Sequence, residues 1–117
     1  MGTYTLYAPN PYHESAPIRV FIGGKLKAVR REALKLTEEY QPKYDRPFFV
    51  TVYRGFVRRN APRSEDRVGV VVNDTLGPMW FDNGTEYRPT QMYRLNDDGS
   101  LGAIVIMHQI KKKKKKR

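Results

Sequence analysis

The residues of this chain best suited to chemistry are its cations. Six lysines and an arginine run without a break from Lys111 through Lys112, Lys113, Lys114, Lys115 and Lys116 to Arg117. Like charges this dense repel one another and resist burial, so the run is expected to be disordered on its own. Opposite a phosphate backbone, each of these side chains can displace a condensed counterion, which adds affinity that salt weakens and base sequence leaves unchanged. A nuclear-import signal is a second reading of the same run. A third is a solubilising terminus that folds back on the acidic turns at Asp82 and Asp97-Asp98.

A second set of cations is Lys25, Lys27, Arg30, Arg31 and Lys35. On a helix, Lys27, Arg31 and Lys35, with Arg30 beside them, fall opposite the apolar series Leu26, Val29, Ala33, Leu36 and Tyr40 at about 100° per residue. A third set interleaves arginine with aromatics in Tyr53-Arg54-Gly55-Phe56-Val57-Arg58-Arg59, and Arg63 extends it into the next loop. Arginine can contact phosphate there while an aromatic face accepts an unstacked base. The competing reading is a half-buried strand with Phe56 in the core and its arginines in water. Gly23-Gly24-Lys25 opens the helix, where backbone N–H groups and the positive end of the dipole favour an anion. Those glycines lack the spacing of a phosphate-binding loop and also suit a plain turn and cap. Trp80-Phe81, with Tyr87 and Tyr93, can form a stacking platform, but cross-strand aromatic pairs also stabilise hairpins, and a core or sheet-surface position is expected.

Catalytic chemistry finds little to work with. The two histidines, His13 and His108, stand far apart in the chain, and nothing in the sequence brings them together for acid–base catalysis. With no cysteine, thiolate metal sites, disulfide frameworks and cysteine nucleophiles are excluded. Asp82-Asn83-Gly84 and Asp97-Asp98-Gly99 lack the further carboxylates of a calcium loop and read as turns. The protein is expected to be non-catalytic, with no cofactor and no metal.

The overall charge of +10 is unevenly spread. Residues 25–67 carry 12 basic against 6 acidic groups, residues 68–110 carry 2 against 5, and residues 111–117 add +7. Such asymmetry is the electrostatic mark of a polyanion binder. No basic leader precedes an apolar stretch at the N-terminus and no apolar run can span a bilayer, so a soluble intracellular protein is expected, cytoplasmic or, in a eukaryotic host, nuclear.

The elements that must position these groups follow from periodicity. Thr3–Tyr7 and Ile18–Ile22 read as strands, and residues 25–41 as an amphipathic helix closed by Pro42. Residues 48–59 form a β run with a bulge at Gly55. Residues 68–72 form an apolar strand, residues 79–87 a hairpin turning at Asn83-Gly84, and residues 91–95 and 101–108 a second hairpin turning at residues 96–99. The fold class is α+β: a curved antiparallel sheet of five to six strands, open or partly closed as a barrel, with one amphipathic helix packed on one face. Residues 1–110 make one domain and residues 111–117 a disordered basic tail. The expected function is largely sequence-nonspecific binding of DNA or RNA by Lys25, Lys27, Arg30, Arg31, Lys35, Arg54, Arg58, Arg59, Arg63 and the tail. The alternative is a small viral or accessory protein that docks on an acidic protein partner, as a host-factor inhibitor or virion component; no membrane partner is expected.

Overall fold

The computed structural model describes residues 2–12, 16–43, 48–58, 63–83 and 90–105. The tail Lys111–Arg117, Arg59, His13, His108, Gly84 and Tyr87 lie outside the described residues. Seven strands form one sheet: β1 (Gly2–Ala8), β2 (Ile18–Gly24), β3 (Phe49–Arg54), β4 (Arg67–Asp74), β5 (Gly77–Asp82), β6 (Gln91–Leu95) and β7 (Leu101–Val105). One helix, α1 (Leu26–Tyr40), lies between β2 and β3 in the chain. The sheet order is β2-β1-β3-β4-β5-β6-β7, with every neighbouring pair antiparallel. β2 and β3 flank β1 and therefore run parallel to each other, which no tight turn can arrange, and α1 supplies the crossover.

One expectation needs correction here: the described residues form seven strands and not five to six, in an open sheet with β2 and β7 as its edges. The hairpin expected at Asn83-Gly84 runs into residues 84–89, which lie outside the described residues. A tight turn lies earlier in the chain. Thr75 and Leu76 join β4 to β5 with Asp74 paired to Gly77, and Gly77 takes a φ of 94°, where a side chain is disfavoured.

Alternation along the strands divides the residues between two faces. On the helix side Leu6, Ala8, Val50, Val52, Val71, Trp80 and Leu95 close with Val29, Ala33 and Leu34 into the buried core. Among the described residues the other face carries no helix. Register runs one row straight across it, Arg19–Tyr7–Thr51–Val70–Phe81–Met92–Val105. A second row, Phe21–Thr5–Tyr53–Arg67, lies on one side of it and a third, Phe49–Val72–Met79–Arg94, on the other.

Trp80 is the largest fully buried side chain, and its indole reaches across β4 over Gly69. A Cβ on Gly69 would overlap the indole ring and come within 2.7 Å of the Phe81 carbonyl oxygen, so the site is open to glycine alone. The helix is anchored at its other end by polar contacts. Thr37, fully buried, donates to the Leu34 carbonyl at 2.6 Å and accepts from Asn73 of β4 at 3.4 Å. Gln41 accepts the Phe48 N–H at 2.6 Å, which sets the entry into β3.

At the start of α1, Lys25 holds the N-cap conformation (φ −78°, ψ 151°) but offers no side-chain hydrogen bond, and the first turn has no acidic residue. Lys25→Asp is expected to stabilise the protein by about 1 kcal/mol, because its carboxylate can cap a free N–H and match the dipole. Gly69→Ala is expected to cost about 1–3 kcal/mol through overpacking against Trp80. Urea unfolding checks both as shifts in midpoint at constant slope.

Candidate nucleic-acid interface

The helix set of cations is largely engaged in the fold. At 100° per residue, Arg30 falls between Thr37 and Leu34, inside the buried arc and not beside the exposed lysines. Its Nε donates to the Gly99 carbonyl at 2.8 Å and its guanidinium lies 5.4 Å from the centre of the Trp80 ring. Burial lowers its pKa, an effect opposed by the nearby Asp82, and the group stays charged. Lys27 pairs with Asp98 at 3.4 Å. Arg31 and Lys35 share Glu32, at 3.6 and 3.4 Å. Exposed pairs of this kind contribute about 0–1 kcal/mol to stability, but they do cancel charge locally. Lys25 makes no ion pair among the described residues.

The acidic partner of Lys27 belongs to the β6–β7 turn. Asp98 accepts from the Ser100 N–H at 2.9 Å and from its hydroxyl at 2.6 Å, and Gly99 adopts a φ of 91° directly against the Lys27 carbonyl. The two Ser100 bonds, with Lys27 adding to them, hold the Asp98 carboxyl down to about 2, from an ordinary 3.8. This turn docks on the side of α1 that the sequence assigned to a partner.

The strand set of cations behaves differently. Gly55, at a φ of 81°, ends β3 and swings residues 55–58 back across β1 and β2. Thr5, fully buried, pins that segment: its hydroxyl donates to the Gly55 carbonyl at 2.7 Å and accepts the Val57 N–H at 2.8 Å. Phe56 then packs on Phe21 with ring centres 5.3 Å apart, and the Arg58 guanidinium lies 5.6 Å from the Phe21 centre. Arg19 of β2 donates to the Arg58 carbonyl. Phe56 is thus neither a core residue nor part of a strand, contrary to the half-buried strand reading.

Arg54, Arg58 and Arg63 line an open cleft of about 630 Å³, with Phe56 and Val57 as its apolar wall and Asp66 as its one acidic residue. Arg63 also meets the exposed Glu65 at 3.4 Å. No protein family, curated protein or solved structure matches this chain. The chemistry of the cleft therefore rests on its own residues.

Arg54, Arg58 and Arg63 line the same cleft as Phe56, so side chains able to donate to phosphate oxygens share one space with an aromatic ring. Arg54, Arg58 and Arg63 are brought together; Lys25, Lys27, Arg31 and Lys35 sit apart on the helix. Among the described residues no group of three carboxylates or histidines is close enough to hold a metal ion, and no helix is long and apolar enough to cross a membrane. A second, smaller-scale cation site appears at Lys43, whose ammonium lies over both Tyr12 and Tyr40, at 5.5 and 5.2 Å. Its pKa is raised, chiefly by a hydrogen bond with Tyr12.

Sequence reasoning passed over Arg19 and Arg67. The alternation of Ile18-Arg19-Val20-Phe21-Ile22 carried the signal for Arg19, because it sets Arg19 and Phe21 on one face. Arg67 could be placed only once its pairing with Tyr53 was known.

Arg30→Ala is expected to cost about 1–3 kcal/mol, since it removes a charged hydrogen bond and a ring contact; Arg31→Ala should stay within about 0.5 kcal/mol. The depressed Asp98 pKa makes its contribution to stability full above pH 3.8 and progressively lost as pH falls towards about 2. Acid titration of the unfolding midpoint should show that this component is missing from Asp98→Asn.

Proposed function

We propose that the protein is a non-catalytic nucleic-acid binder that grips the phosphate backbone without regard to sequence. The observation that carries this reading is the convergence of Arg54, Arg58 and Arg63 on one open cleft beside Phe56, with Arg19 bonded to the same segment. The lysines and arginine of residues 111–117 act in this reading as an electrostatic clamp, adding phosphate contacts and raising the on-rate. The helix cations contribute less, because Lys27, Arg31 and Lys35 already face carboxylates. The alternative, docking on an acidic protein, draws on the edge strand β7, where Leu101 and Ile104 are exposed.

Fluorescence anisotropy of a labelled mixed-sequence oligonucleotide, titrated at several salt concentrations, tests the reading. Binding should weaken steeply with salt. Replacing Arg54, Arg58 and Arg63 together by alanine should flatten the log–log salt slope by about 2, at roughly 0.7–0.9 per phosphate contact. Arg31→Ala with Lys35→Ala should change it by less than half as much. Removal of residues 111–117 should flatten the slope further. Undetectable binding at low salt, or a slope indifferent to both the cleft and the tail variants, would overturn the proposal. A partner that survives nuclease treatment and needs Leu101 and Ile104 would transfer support to the protein-docking alternative.

A further inference from the structure

An antiparallel sheet with one face on the core ordinarily turns polar residues outward on the other. This sheet does not. On the face away from α1, Phe21, Phe49 and Phe81 are 45%, 47% and 37% exposed. Tyr7 and Tyr53 lie between them in the same rows, half-buried, with their rings edge to face at 6.0 Å. Surfaces of this size and chemistry on a single domain mark binding. The question is what binds.

The charges on the same face answer it. Register places Arg19, Arg67 and Arg94 at row ends, and the three rows traced above hold no acidic residue among the described residues. Arg67 donates to the Asn83 side-chain oxygen at 3.1 Å and Arg94 to the Leu76 carbonyl at 2.6 Å. Both acceptors are neutral, so these bonds fix the guanidiniums in place without cancelling their charge. Arg67 acts on the face itself: burial raises the pKa of Tyr53 and the positive charge of Arg67 opposes that rise. An apolar partner surface would leave Arg67 and Arg94 uncompensated. An acidic protein would pair the arginines but has no need of five aromatic rings between them.

We infer that this open face is a stacking platform for the unpaired bases of a single-stranded nucleic acid, whose phosphates run to the arginine rim and on into the Arg54–Arg58–Arg63 cleft. The inference deepens the function proposed above and rests on it: the cleft supplies contacts to any phosphate backbone, and the face selects strands whose bases are free. Phe21, Phe49 and Phe81 stand on β2, β3 and β5 in three different rows, so Phe21 and Phe49 are roughly 16 Å apart and Phe49 and Phe81 roughly 12 Å, with Tyr7 and Tyr53 between. Continuity comes through Phe21, which belongs to the face and also carries Phe56 and Arg58 of the cleft wall. A duplex keeps its bases stacked inside and can use only the rim.

The test compares three labelled probes of equal length on the full chain: a mixed-sequence single strand, the same sugar-phosphate strand without bases, and a blunt duplex. The single strand should bind at least about 10-fold more tightly than the abasic strand, since each stacked base contributes about a factor of 5 to 100. Phe49→Ala with Phe81→Ala should remove most of that difference while leaving abasic affinity unchanged, since neither ring lines the cleft. Phe49→Leu with Phe81→Leu keeps the apolar bulk and removes the π faces, so it should lose the difference too, and near-ultraviolet circular dichroism of Trp80 monitors folding in both. Equal affinity for the based and abasic strands overturns the platform but leaves the backbone-binding function standing. Failure to bind any of the three probes overturns both. A concentration-dependent dimer that the phenylalanine variants dissociate, with strand affinity unchanged, identifies the face as a contact between copies and also overturns the platform.

Discussion

The fold turns on the indole of Trp80. It lies over the bare backbone of Gly69 on one side and under the guanidinium of Arg30 on the other. Arg30 in turn bonds the Gly99 carbonyl, and Gly99 presses against the backbone of Lys27 and Arg31. One continuous set of contacts thus ties β4, β5, the helix and the β6–β7 turn together. Each link limits the next: a side chain at residue 69 displaces the ring, a shifted ring leaves Arg30 without its face, and a free Arg30 releases the turn. A charge half-buried over an aromatic ring and satisfied by a carbonyl is stable in a way that the same charge in an apolar site is not.

Once the helix is committed to one side of the sheet, the distribution of charge follows. Cations on α1 meet carboxylates from the helix itself and from the β6–β7 turn, so the most basic helix in the chain presents a modest field. Beyond the far end of β3, the Arg58 guanidinium lies over Phe21, and Arg54, Arg58 and Arg63 line one open cleft together. Net charge along the sequence overstated the first group and understated the second, because Coulombic cancellation depends on distance in space and a sequence count does not.

Much of the architecture was readable in advance. The strands at residues 3–7, 18–22, 68–72 and 91–95, the helix at 25–41 and the turn at 96–99 all lie where period and turn residues put them. The failures have physical causes. Residues 68–72 and the run from residue 79 were read as separate strands, but the turn that joins them, Asp74 to Gly77, was not, although Asp leads it and Gly closes it. Arg30 was assigned by an apolar series that omitted Leu34 and Thr37; with those two included, the buried arc of the helix widens to take it in. Of the interface, Arg54, Arg58 and Arg63 were legible as an interleaved pattern. The open aromatic face was not, because it is assembled from five residues on four strands and exists only through register.

Among the described residues no strand pairs with the outer side of β7, and its side chains are mostly exposed. A short apolar edge of this kind can template pairing with another copy unless something keeps copies apart. In sequence, seven positive charges begin six residues beyond Val105. Their mutual repulsion falls off over about 10 Å at 0.1 M salt and over about 3 Å at 1 M. Colloidal behaviour should therefore invert the usual pattern for a basic protein: concentrated salt would promote slow self-association at the β7 edge, visible as rising light scattering, and dilute buffer would suppress it.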